Sequence, residues 1–126
     1  MFNTTQLVAE EGYPPLHVLL STTSSVLEQA IEYPEGQAQI TAAIVTMRPG
    51  EKTGLHRHNV PFFAYIMEGQ VSVDYGKDGI KTYKAGDSLV EAFKTDHYGE
   101  NTGAGITRIL AVFAGAEGIR NTVMKK

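Results

Sequence analysis

His56-Arg57-His58 is the sharpest chemical feature of this chain. In an extended strand, side chains two residues apart point to one face. Two imidazoles placed that way can hold one metal ion from the same side. The same tripeptide also fits two solvated histidines on a polar loop, since Lys52, Arg57 and Asn59 lie close by. His97 sits in Thr95-Asp96-His97-Tyr98-Gly99-Glu100-Asn101, after an apolar segment. It matters to metal chemistry only if the fold carries it to His56 and His58. His17 follows Pro14-Pro15-Leu16 and is not read as a ligand. The chain has 4 His and 0 Cys, so any metal must bind through His, carboxylate or another oxygen. The same count excludes disulfides, Cys-type zinc sites, iron–sulfur clusters and thiol nucleophiles.

These residues need strands to position them, and the sequence supplies strand signals at regular intervals. Leu16 to Leu20 is short, apolar and followed by a polar Ser/Thr turn. Ile40 to Met47 is rich in β-branched residues and stops at Arg48-Pro49-Gly50. Phe62 to Met67 is apolar, and Val71, Val73 and Tyr75 then alternate with Ser72 and Asp74. Asp78-Gly79 is a hairpin signal before Ile80 to Tyr83. Ser88 to Phe93 and Ile106 to Ala114 complete the set. Leu7 to Glu10 and Val26 to Ala30 are the helical alternatives. Strands punctuated by turns this often predict an all-β sandwich or barrel, with little helix. A small barrel closes its edges and often keeps a ligand cavity at its mouth.

Composition bounds the answer. At 126 residues, 42% hydrophobic and 20% charged, the chain reads as one globular domain over 1–126. It has 11 Lys+Arg against 14 Asp+Glu, a formal charge of -3, which argues against a nucleic-acid partner. No apolar run is long enough to span a membrane. Met1 to Glu11 lacks a basic leader segment, so a cytoplasmic location is expected.

Two longer stretches resemble the two motifs of the cupin family. Residues 50–69 run Gly50, five residues, His56-Arg57-His58, three residues, Phe62, six residues, Gly69. Residues 86–101 run Gly86, five residues, Ala92-Phe93-Lys94, two residues, His97, three residues, Asn101. Both histidine spacings match the family, as do the glycines and Asn101. The departures are specific. The metal-binding Glu of motif one is Phe62 here, and Pro and Gly of motif two are Ala92 and Lys94.

The resemblance implies a double-stranded β-helix, or jelly-roll barrel. It also implies one divalent transition metal held by His56, His58 and His97, and a homodimer. Iron, manganese, nickel, copper and zinc are not distinguished, because imidazole suits several of them. If Phe62 faces the cavity, Ala64 and Ile66 do too by alternation, and the three line the pocket. Glu91 interrupts the apolar run Leu89 to Phe93, where a carboxylate needs an explanation. Facing inward, it would complete the coordination or serve as a general base. Facing outward, it would meet solvent or a lysine. Similar cupins are dioxygenases, so a metalloenzyme acting on a small chelating or acidic substrate is expected, with isomerase chemistry also open. The alternative is a cupin that binds or senses a small molecule without turnover. Asn101 is expected to secure the turn after His97, and Arg57 to face away from the histidine pair.

Overall fold

A computed structural model describes residues 6–126, with side chains from residue 11 onward. The strands are β1 (Gln6–Glu10), β2 (Tyr13–Val18), β3 (Ala38–Met47), β4 (His56–Arg57), β5 (Phe62–Glu68), β6 (Gln70–Asp74), β7 (Ile80–Lys84), β8 (Ser88–Val90), β9 (Tyr98–Glu100), β10 (Thr107–Ala116) and β11 (Val123–Met124). Among the described residues the only helical element is a 3-10 turn, Gly76–Asp78, which links β6 to β7. Among the described residues no helix is long and apolar enough to cross a membrane.

Four strands in the order β3-β10-β5-β8 form the larger sheet, and β7-β6-β9 forms the facing one. All pairings are antiparallel. The core lies between the two sheets. Ala64 and Ile66 of β5 meet Val71 and Val73 of β6, with Tyr75, Met47, Leu89 and Ala92 around them. Alternation along β5 and β6 is what sends these side chains inward. The sharp junction between β5 and β6 falls at Gly69, which has φ +84°. A Cβ there would come within 3.0 Å of Ile106 O and Thr107 Cα, so the close approach of Thr107 to this turn requires glycine. Thr107 Oγ1 uses that closeness: it accepts from Gln70 N at 2.9 Å and donates to Gln70 O at 2.8 Å.

Two helical expectations fail. Leu7 to Glu10 lies in β1, which pairs with β2 as a hairpin. Val26 to Ala30 is a turn in which Glu28 takes φ +63° and Ser25 Oγ accepts from Leu27 N at 3.1 Å. In both places the apolar spacing was too short to outweigh strand pairing or side-chain capping. The leader reading of Met1 to Glu11 falls partly on residues 1–5, which lie outside the described residues. Strands β4, β9 and β11 are two or three residues long.

Candidate metal centre

β4 ends the loop after Gly50, and β9 follows His97 directly. His56 and His97 form an isolated antiparallel bridge, His56 N to His97 O at 3.0 Å and His97 N to His56 O at 2.8 Å. His58 is tied in from the other side, its carbonyl accepting from Lys94 N at 2.8 Å. The three rings are buried and lie with centroids 4.9, 4.6 and 5.2 Å apart. One ring nitrogen from each lies within 4.8 Å of the others.

The backbone determines which nitrogen that is. His56 Nδ1 is 2.7 Å from Gly54 O, His97 Nδ1 is 2.8 Å from Thr95 O, and His58 Nδ1 is 3.1 Å from Asn121 O. A carbonyl oxygen only accepts, so each Nδ1 must carry the hydrogen. Every Nε2 is left with a free lone pair. This is the arrangement by which backbone carbonyls orient metal-binding imidazoles. Burial pushes the His58 pKa down to about 3, the neighbouring His56 and His97 adding to it and the Asn121 hydrogen bond opposing. Burial also lowers His56, against the Gly54 hydrogen bond, with His97 reinforcing the shift. Both are therefore neutral at ordinary pH, the form that binds metal. The donor set fits a divalent transition metal on three imidazoles.

Glu91 points inward and is buried. Its Oε2 lies 3.7 Å from His97 Nε2. Its Oε1 accepts from Tyr75 Oη at 2.6 Å and from Ala92 N at 2.8 Å. Tyr75 Oη lies 3.0 Å from Tyr83 Oη. Tyr75 has one hydroxyl hydrogen and gives it to the carboxylate, so Tyr83 donates to Tyr75. Burial, with the Glu91 charge behind it, raises the Tyr75 pKa, and burial raises Tyr83 to about 12. Both stay protonated donors. Tyr75 is the partner that sequence reasoning missed, although its place in the Val71-Val73-Tyr75 alternation pointed inward.

Phe62 stands at the motif position of the family's carboxylate ligand. Its ring meets His58 edge-on at 4.7 Å and stacks on Phe113 at 4.4 Å. Phe62, Ala64 and Ile66 all line a cavity of about 240 Å³ that contains the three histidines. Glu91 is the one Asp, Glu, Lys or Arg among its lining residues. His17 lies in exposed β2, away from this cluster. Arg57 turns outward, where its Nε donates to Asp96 Oδ1 at 2.8 Å, and Lys125 reaches the same carboxylate at 3.1 Å. Asn101 secures its turn: Nδ2 donates to Met47 O and Gly105 O, and Oδ1 accepts from Gly103 N.

Residues 43–113, more than half of the chain, match the Cupin domain family. The chain is a cupin. Nothing matches among curated proteins. Solved cupin structures share its fold. The oxalate decarboxylase of Lactobacillus farciminis, in its formate complex, has a TM-score of 0.58 at 28% identity, over 70% of this chain and 27% of that one. A double-stranded β-helix protein from Klebsiella pneumoniae has a TM-score of 0.57 at 17% identity, over 95% and 91%. A predicted oxalate decarboxylase from Thermotoga maritima has a TM-score of 0.51 at 31% identity, over 58% and 64%. This cupin spans less than two thirds of the length of the Lactobacillus and Thermotoga proteins.

Proposed function

We propose that this cupin is a mononuclear metal-dependent enzyme acting on a small organic substrate with one chelating or acidic oxygen group and an otherwise apolar body. The observation that carries this reading is the position of Glu91 against His97. One carboxylate oxygen is held by two donors, while the other is 3.7 Å from the nitrogen of a candidate metal ligand. A base held this way is oriented before substrate arrives.

His56, His58 and His97 would hold one divalent metal. When bound, that metal supplies a Lewis acid with open positions for a chelating substrate and, if redox-active, for oxygen chemistry. Glu91 Oε2 takes a proton from the substrate group nearest His97. Tyr75 and the Ala92 amide hold Oε1 and keep the carboxylate from swinging away. Phe62, Ala64 and Ile66 exclude water and receive the apolar part of the substrate. The volume, about 240 Å³, falls just below the usual range for ligand sites, roughly 300–1,000 Å³. Among the described residues no Lys or Arg lines the cavity, so an acidic substrate group would depend on a metal held by His56, His58 and His97 for its counter-charge.

Oxygen-dependent cleavage is the reaction class we put first. Decarboxylation or isomerisation is the second reading, favoured by the oxalate decarboxylase neighbour at 28% identity. The test is metal analysis and oxygen uptake on protein reconstituted with iron, manganese, nickel, copper or zinc, using chelating substrates. Glu91→Gln is run beside it. One metal per chain in both proteins is expected, with turnover reduced about 10²–10⁴-fold in the variant. Failure to bind metal after reconstitution overturns the enzyme reading. Loss of metal from Glu91→Gln alone would make Glu91 a ligand instead of a base.

A further inference from the structure

β8 ends at Val90, and the segment that carries Glu91 and His97 runs on without continuous strand pairing. Its course matters, because the Thr95 carbonyl holds His97 Nδ1 at 2.8 Å. The Pro and Gly of the family motif are Ala92 and Lys94 here. Neither a fixed φ nor the freedom of glycine therefore shapes this turn. Another group must hold it.

That group is the carboxamide of Gln29, 64 residues before Phe93 in the chain. Its Oε1 accepts from Phe93 N at 2.8 Å and from Ser25 Oγ at 2.7 Å. Its Nε2 donates to Phe93 O at 2.6 Å and to Thr95 Oγ1 at 3.1 Å. A carboxamide has two hydrogens to give and two lone pairs to accept with, and all are used. The double contact with Phe93 copies the exchange that a neighbouring strand would make. The Thr95 contact reaches across Lys94 to the residue whose carbonyl orients His97.

The loop that presents Gln29 is itself tied down. Ser25 Oγ accepts from Leu27 N at 3.1 Å and from Gln29 N at 3.3 Å. Val26 N donates to Val90 O at 2.9 Å, one residue before Glu91. Among the described residues two that are not glycine have positive φ, Glu28 at +63° and Lys94 at +53°. One immediately precedes Gln29 and the other immediately follows Phe93. Such backbone persists only where its surroundings over-determine it, and it concentrates at functional sites. Here both strained residues flank one side-chain contact.

We propose that Gln29 is a positioning residue of the metal centre. Its carboxamide clamps Phe93 and Thr95, fixes the Thr95 carbonyl, and so holds His97 with Nε2 presented toward His56 and His58. It supplies from outside the motif the rigidity that Ala92 and Lys94 do not. The inference rests on the metal reading of the site. Outer groups that orient metal-binding imidazoles are typically worth roughly 10–100-fold in metal affinity.

Gln29→Met keeps the length of the side chain and loses every hydrogen bond of the carboxamide. In zinc competition against a chromophoric chelator, the folded variant should bind roughly 10–100-fold more weakly than wild type. A second readout needs no metal. Proton–nitrogen NMR spectra of the histidine rings show which nitrogen carries the hydrogen. In mildly alkaline solution, where free imidazole is neutral, wild-type His97 should be the Nδ1–H form alone. In Gln29→Met it should populate both tautomers. His56 and His58, held by the Gly54 and Asn121 carbonyls, should keep theirs. A zinc affinity equal to that of wild type, an unchanged His97, or a change spread over all three rings would each overturn the proposal. A wild-type protein that binds no zinc would overturn the metal reading, while the tautomer measurement still decides whether Gln29 orients His97. Should Gln29→Met not fold, Gln29→Glu, which keeps both acceptor contacts and loses both donors, is read in the same two ways.

Discussion

Tyr75 and Glu91 share a buried hydrogen bond of 2.6 Å, and Tyr75 has no second hydrogen to give. The carboxylate is thereby oriented from the core side, with its other oxygen facing His97. Tyr83 stands behind it as the donor to Tyr75. Tyr75→Phe removes the hydroxyl and leaves the ring. The Ala92 amide remains as the one donor to Oε1. The variant should lose about 1.5–3 kcal/mol of stability, the worth of a hydrogen bond to a charged group. It should keep its metal stoichiometry and lose turnover. Thermal melts and metal analysis on the same sample check this; an unchanged melting temperature would refute it.

His58 gives a signed pH dependence in metal-free protein. Its ordinary pKa of 6.5 is pushed down to about 3 by burial. Between those values the unfolded chain binds a proton that the folded chain does not. Stability is therefore full above about pH 6.5 and declines as pH falls toward 3, where this contribution levels off. His56 shifts in the same direction. Denaturant titrations from pH 8 to 4 should show the decline, and His58→Gln should flatten it. Metal affinity should fall over the same window, because proton and metal compete for the imidazoles.

Lys94 occupies the motif-two glycine position with φ +53°. A left-handed conformation costs a side-chain-bearing residue roughly 1–2 kcal/mol. Lys94→Gly relieves that strain and returns part of the gain as chain entropy. The variant should be more stable by about 0.5–1 kcal/mol, read as a rise of a few degrees in Tm. A fall in Tm would mean that the Lys94 side chain contributes more than its backbone strain costs.

Phe62→Glu places a carboxylate beside His58, where Phe62 now packs at 4.7 Å. Without metal the change should destabilise the fold, because a charge replaces an aromatic ring stacked on Phe113. With metal it should raise affinity at least 10-fold in competition with a chelator. It should also close a position needed by substrate, so that binding improves while turnover falls. Equal affinity in both proteins would show that position 62 does not reach the metal.

The histidine set was legible because the two motifs place it by spacing alone. The long strands were legible because their apolar residues alternate. Glu91 was legible as a candidate from the apolar run it interrupts, but its direction was not, since β8 ends at Val90 and alternation says nothing about the residue beyond a strand end. Its direction is set by the Tyr75 hydroxyl and by the Ala92 amide; alternation points Tyr75 inward, but nothing in the sequence pairs it with Glu91. Asn121 was invisible for a different reason. It fixes His58 through a backbone carbonyl 63 residues away, and any residue type offers that atom. Strands β4, β9 and β11 are too short to show a period.

That distant carbonyl has a consequence for how the protein is made. All three histidines leave the ribosome before Asn121 does. The His58 ring is orphaned on its Nδ1 side until then, and Met124 and the Lys125 amide, which reaches Leu55 O at 2.9 Å, arrive later still. Metal capture is therefore among the last events of its biogenesis, and a ribosome-stalled chain ending before residue 121 should hold metal more weakly than the released protein.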